Sequence, residues 1–201
     1  MEKFNNKYRT ASARAPFWNY AWNAAYFITI CTLNRQCWFG NIAVTQCRNV
    51  KSRGDAKSGR DAKSCVSTTN IMQLSSLGHI ANSCWHQIPK HFPFVELGPH
   101  IIMPNHVHGI VIINKPDHQS DQPSEWVQPG NQFGPQSSNL ASIVRGFKIG
   151  VTQNARQIHP DFAWQSRYHD HIIRNEKSYH NISEYIVNNP LKWLEDKFYS
   201  A

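Results

Sequence analysis

The clearest alternation of apolar and polar positions along this chain runs through Met103-Pro104-Asn105-His106-Val107-His108-Gly109-Ile110 and on into Val111-Ile112-Ile113. The apolar run reads as a strand. Strand side chains alternate between faces, so His106 and His108 project to one side and Val107 to the other. Phe94 to Met103 reads as a second strand, joined to the histidine strand by a turn at Pro104-Asn105 and paired with it antiparallel. Ala24 to Leu33 reads as an earlier strand and Tyr168 to Arg174 as a later one. From Leu74 onward Leu77, Ile80, Ala81, Cys84, Trp85 and Ile88 recur at helical spacing, which predicts a helix stopped by Pro89. Leu140, Ile143, Val144, Phe147 and Val151 mark a second amphipathic helix, with Arg145, Lys148 and Arg156 on its opposite side. Helical spacing returns from Asn175 through Ile182 and Ile186. Pro190 is predicted to end that helix, because the residue before a proline is pushed out of the α region. Tyr185 and Asn189 then stand four apart on one helix face.

The order strand, helix, strand, strand, helix, strand, helix is the split βαβ pattern of a ferredoxin-like α+β sandwich. It implies an antiparallel sheet with helices on one face, plus an added C-terminal helix that carries the tyrosine. A central histidine strand would turn His106 and His108 toward that added helix and set Tyr185 opposite them. One domain is expected over 24–201, preceded by a basic, aromatic arm at 1–23. Residues 47–70 contain the near-repeat Ser52-Arg53-Gly54-Asp55-Ala56-Lys57-Ser58 and Ser58-Gly59-Arg60-Asp61-Ala62-Lys63-Ser64, with little to bury. They read as a flexible insertion that cannot repay the entropy of ordering. Residues 114–138, rich in Pro, Gln, Ser and Gly, read as a loop.

Composition adds a partner. With 201 residues the chain has the mass for one real core, and its net charge of +8 favours a polyanion. The 12% aromatic content strengthens that reading, since aromatic faces stack on unpaired bases. Five cysteines, odd in number and without a CxxC pair, read as reduced thiols. No signal-peptide core and no membrane-length apolar run occurs, so a bacterial cytoplasmic protein, nucleoid-associated when bound to DNA, is the expectation.

Two imidazoles side by side on a rigid strand suit a divalent metal. The chain further resembles the single-tyrosine HUH transposases, and within them the REP-associated tyrosine transposases of the IS200-like group. The resemblance is carried, in order, by Tyr26-Phe27-Ile28-Thr29-Ile30-Cys31-Thr32, the histidine segment, Phe147-Lys148, Trp164-Gln165-Ser166-Arg167-Tyr168-His169-Asp170-His171-Ile172-Ile173-Arg174, and Tyr185-Ile186-Val187-Asn188-Asn189-Pro190. It implies that His106 and His108 hold the metal, that Tyr185 is the nucleophile, and that Asn189 completes the site. It also implies Mg²⁺ or Mn²⁺ as the ion, whereas two imidazoles and an amide by themselves suit zinc. The activity implied is metal-dependent single-strand DNA cleavage and strand transfer on hairpin-forming repeats, through a covalent 5′-phosphotyrosine. The partner is single-stranded or hairpin DNA, with no membrane, and the chain acts as a monomer or homodimer.

Each residue has a plainer role to set beside this one. Asn189 also suits a helix C-cap, and Tyr185 a packing position on an amphipathic helix. Tyr168 and Tyr179 are rival nucleophiles that lack the downstream Asn-Asn-Pro. His169 and His171 share one strand face as accessory ligands, a DNA-contacting edge or support for the metal histidines. Arg145, Lys148, Arg156, Arg167 and Lys192 are candidates for DNA contacts, or simply a solvated surface. The alternative function is a hairpin-binding regulator of repeat elements that does not transpose, and a third is a zinc hydrolase without a covalent intermediate.

Between Arg48 and Lys63, six basic residues face two acidic ones, a net +4. Replacing this stretch by a short Gly/Ser bridge is expected to weaken binding to all DNA sequences alike and to flatten the salt dependence of affinity. A salt titration on hairpin and scrambled single strands checks this. Selective loss of hairpin preference at unchanged salt slope would make the segment a specificity element.

Overall fold

The computed structural model describes residues 3–4, 7–8, 18–47, 67–116 and 138–199. Two two-residue strands, β1 (Lys3–Phe4) and β2 (Lys7–Tyr8), pair antiparallel with each other. The domain is built from β3 (Ala24–Cys31), β4 (Gly40–Cys47), β5 (Ser67–Leu74), α1 (Ser76–His86), α2 (Ile88–His91), β6 (Val95–Met103), β7 (His106–Ile113), α3 (Leu140–Ala155), β8 (His169–Ile173) and α4 (Glu176–Asn188). Strands β6, β7, β3 and β8 lie in that order in one sheet, each pair antiparallel. The second and third strands of the split βαβ pattern are thus neighbours, and the first lies between the third and the fourth. This is the ferredoxin-like α+β arrangement expected from the sequence, with the histidine strand at the centre.

The two faces of the sheet are buried for different purposes. Tyr26, Ile28 and Ile30 of β3 and Val107 and Val111 of β7 face α1 and α3, where Leu77, Ala81, Trp85, Ile143, Val144, Phe147 and Val151 complete the main core. The alternate residues face the other way. Ile110 and Ile173 form a smaller cluster with Ile186 of α4, flanked by Phe27, Ile112, Tyr179 and Ile182. The starts of α1, α3 and α4 are fixed by the side chains of Ser75, Asn139 and Asn175; Asn175 Oδ1 accepts from Ser178 N at 2.8 Å to set the start of α4.

Several boundaries differ from the sequence reading. The first strand stops at Cys31, because Thr32 makes an isolated bridge with Trp164 and Leu33–Arg35 turns as a 3-10 helix. Residues 18–23 pack on the domain: Trp18 Nε1 donates to the Tyr26 hydroxyl at 3.1 Å and Tyr20 stacks on Tyr26. Within the expected insertion, 67–70 belong to β5, which pairs with β4 as a ribbon; 48–66 lie outside the described residues, as do 117–137 of the expected loop. Pro89 occupies the start of α2, where its missing N–H is not needed. Pro190 does not expel its predecessor from the α region. Asn189 has φ −57° and ψ −41°, and the chain continues as a 3-10 helix over Asn189–Glu195.

Gly109 lies on the core face of β7 against the Trp85 indole, and a Cβ there would fall inside contact distance of the ring. Gly109→Ala is expected to cost about 1–3 kcal/mol through overpacking, read as a lowered urea midpoint. An unchanged midpoint would show that the indole has room to move.

Candidate functional site

His106 and His108 are 0% and 1% exposed, with ring centroids 4.4 Å apart. Each has one ring nitrogen tied to the fold. His106 Nδ1 pairs with Asn105 Oδ1 at 2.8 Å, and His108 Nδ1 with Thr29 Oγ1 at 2.9 Å. The Asn105 amide is itself oriented, since its Nδ2 donates to the carbonyls of Arg35 at 3.1 Å and Phe198 at 2.7 Å. Its oxygen therefore accepts the His106 Nδ1 proton, which leaves Nε2 with a lone pair. That Nε2 is buried and has no hydrogen-bond partner. Burial, reinforced by Arg35 and Lys197, lowers the His106 pKa to about 3. Burial and the neighbouring His106 hold His108 well below its ordinary value too. Both rings are neutral near pH 7, the state in which imidazole ligates a metal.

Helix α4 brings Tyr185 over this pair. Its hydroxyl lies 3.2 Å from His108 Nε2, and its ring stands edge-on to Phe27 with centroids 6.1 Å apart. The tyrosine reaches the histidines of its own chain. Desolvation and the carboxylate of Asp196 raise the phenol pKa, while a hydrogen bond with Asn189 pulls it down. Asn189, one turn on, is 2% exposed. Its Nδ2 donates to Asp196 Oδ2 at 3.0 Å, and its Oδ1 is buried without a partner. Its backbone is right-handed helical, so it does not serve as the left-handed C-cap that asparagine often makes.

After the 3-10 turn the chain folds back over the imidazoles. Trp193 and Phe198 lie 5.9 and 4.8 Å from His106, measured between ring centroids, and Arg35 and Lys197 sit over the Phe198 ring. This return delivers Asp196, whose oxygens also accept from Phe198 N at 2.8 Å. Donor atoms of His106, His108 and Asp196 all lie within 4.8 Å of one another. The fit to a divalent ion is good: His106 Nε2 and Asn189 Oδ1 are buried without partners, Asp196 lies within 4.8 Å of both imidazoles, and the far side of each imidazole is anchored.

A cavity of about 630 Å³ opens from this cluster, lined in part by Phe27, His169, Glu184, Asn188 and Lys192. Of the sequence candidates, the structure brings together His106, His108, Tyr185 and Asn189, with Lys192 at the rim. The basic residues of α3 are elsewhere. Lys148 Nζ donates to the Gln165 carbonyl at 2.7 Å and burial pulls its pKa down to about 8, so it straps α3 to the chain before β8. Arg156 Nε donates to the Phe162 carbonyl at 3.1 Å, also an internal tie. Lys148 is thus half-buried and not part of a solvated basic face, whereas Arg156 stays exposed. Arg145 and Arg167 are exposed. Tyr168 packs against the main core and Tyr179 against the smaller one, so the rival tyrosines are accounted for by packing. Sequence reasoning missed Asn105, Thr29 and Asp196. Asn105 was detectable as the amide before His106; Asp196 carried no signal.

Both imidazoles regain their ordinary proton affinity on unfolding, so below the ordinary value of 6.5 the unfolded chain binds more protons than the native one. Stability of the metal-free protein is therefore fully present above that pH and falls as pH drops toward the native His106 value of about 3. The limiting slope is about 1.4 kcal/mol per pH unit for each imidazole. Urea unfolding in chelator from pH 7.5 down to 5 should show the slope, and His106→Gln should flatten it; an unchanged slope would refute neutral burial.

No family model matches the chain. An uncharacterized protein of Haemophilus influenzae is 38% identical over 190 residues, covering 94% of this chain and 92% of that protein. A second protein of that organism, provisionally named a REP-associated tyrosine transposase, is 28% identical over 110 residues, or 55% of this chain and 57% of its own length. Among solved structures, a REP-associated tyrosine transposase bound to a REP hairpin matches over 91% of this chain and 74% of its own, with a TM-score of 0.53 and 16% identity. At that identity the likeness speaks for the fold alone. The chain belongs to one family with that uncharacterized protein of Haemophilus influenzae, and it shares the fold of the hairpin-bound REP-associated tyrosine transposase.

Proposed function

We propose that the protein is a metal-dependent single-strand DNA endonuclease and strand transferase acting on hairpin-forming repeats. The observation that carries this reading is the Tyr185 hydroxyl 3.2 Å from His108 Nε2, beside the buried, partnerless His106 Nε2 and Asn189 Oδ1. A structural tyrosine has no need of such neighbours. His106, His108 and Asn189 would hold a divalent ion, with Asp196 as a further oxygen donor. The carboxylate hardens the donor set and favours Mg²⁺ or Mn²⁺ over zinc.

The chemistry follows from the protonation states. Burial and Asp196 keep the resting phenol protonated, so Tyr185 is a weak nucleophile until positive charge arrives. A bound divalent ion supplies that charge, favouring phenolate and neutralising the phosphate oxygens. Tyr185 then attacks phosphorus in line: the P–O bond to the phenol forms, the P–O3′ bond breaks, and the released 3′ oxygen takes up a proton. The phosphodiester energy stays in the 5′-phosphotyrosine, and a 3′-hydroxyl reverses the step. Helix α4 and the edge-on Phe27 ring fix the phenol's approach.

Tyr185→Phe should keep hairpin binding and lose adduct formation and cleavage, because only the reacting oxygen is removed. A covalent adduct in that variant, seen by denaturing electrophoresis, would place the reaction on another residue. Wild-type protein that binds hairpins yet forms no adduct with Mg²⁺ or Mn²⁺ would favour the regulator. His106→Ala with His108→Ala should abolish cleavage and metal binding by calorimetry; full nicking in chelator would remove the metal from the mechanism.

A further inference from the structure

We propose that the groove between β8 and α4 carries the single-stranded DNA flanking the scissile phosphate, with His171 and Lys177 as its contacts. The inference rests on the reading above and deepens it. A phosphate placed at Tyr185 belongs to a chain that must leave the catalytic cavity. A second cavity of about 440 Å³ continues from the first, sharing Phe27, His169 and Asn181 with it. The two make one channel.

Its charge changes along its length. The catalytic end is lined by Glu184, Glu195 and Asp196 against Lys192 and Lys197. The distal end is lined by His169, His171, Lys177 and amide or hydroxyl side chains, with no carboxylate. A polyanion leaving the nucleophile therefore finds its favourable surroundings along β8 and the first turns of α4.

Register explains why these side chains line up. His169 pairs with Thr29 and His171 with Phe27, so both imidazoles stand on the sheet face that carries His108. Successive residues on one strand face are about 6.8 Å apart, a repeat comparable with that of phosphates along an extended strand. Among the described residues β8 is the last strand of its sheet, and His169, His171 and Lys177 are exposed. The side chains of His171 and Lys177 make no hydrogen bond within the described residues, so the fold leaves those two groups open to a ligand. Phe27 offers an aromatic face at the junction. The walls are a strand and a helix already packed against each other through Ile173, Ile182 and Ile186.

The test is fluorescence anisotropy in chelator with two probes, an oligothymidylate single strand and a blunt hairpin without flanks. His171→Ala combined with Lys177→Ala is expected to lower affinity for oligothymidylate roughly tenfold, with hairpin affinity and thermal stability unchanged. Iodouracil in the single strand should photocrosslink to β8 or α4. Unchanged oligothymidylate affinity, equal losses on both probes, or crosslinks confined to other elements would overturn the groove assignment while leaving the catalytic reading standing. Tighter binding of oligouridylate than of oligothymidylate would overturn DNA as the occupant. A parent protein that binds neither probe would remove the catalytic reading itself.

Discussion

Two neutral imidazoles sealed between a sheet and a helix are the constraint on which the rest of this molecule turns. A buried histidine loses its proton because its charged form is poorly solvated there. Each neutral ring then needs an acceptor for its one N–H and leaves the other nitrogen with a lone pair. Asn105 and Thr29 meet that need from the turn and the neighbouring strand. The orientation of Asn105 depends in turn on the backbone at Arg35 and at Phe198. The site is thereby tied to both ends of the domain.

The ferredoxin-like core supplies rigidity without being consumed by it. Helices α1 and α3 bury the larger face of the sheet, so the other face is available for one helix and a chemical centre. Helix α4 rests on Ile110 and Ile173 through Ile186, one residue after Tyr185, so the helix that presents the phenol is anchored beside it. The 3-10 turn after α4 brings Trp193, Asp196 and Phe198 back across the histidines. One continuous segment thus supplies phenol, amide, carboxylate and cover.

Local pattern gave most of the elements. The strand at His106–Ile113 was legible because apolar alternation and the turn before it agree, and α3 because its apolar stripe is unbroken. The ribbon of β4 and β5 was not. Its strands mix apolar residues such as Ile42, Val44, Ile71 and Met72 with uncharged polar ones, and its pairing joins positions on either side of a long, polar stretch. Pro190 misled because it sits at the start of a new 3-10 turn, where it interrupts no hydrogen bond. Lys148 and Arg156 looked like a free basic face because spacing shows which way a side chain points along a helix and not which carbonyl waits there.

By itself the sequence determined that His106 and His108 share a face, that Tyr185 and Asn189 lie one helical turn apart, and that the sheet is antiparallel, since these follow from the periods of strand and helix. Only the tertiary structure decided that the two pairs meet, that the Tyr185 hydroxyl reaches His108, and that Asp196 joins them. Those contacts link residues far apart along the chain, and no local period encodes which surfaces will be buried against each other.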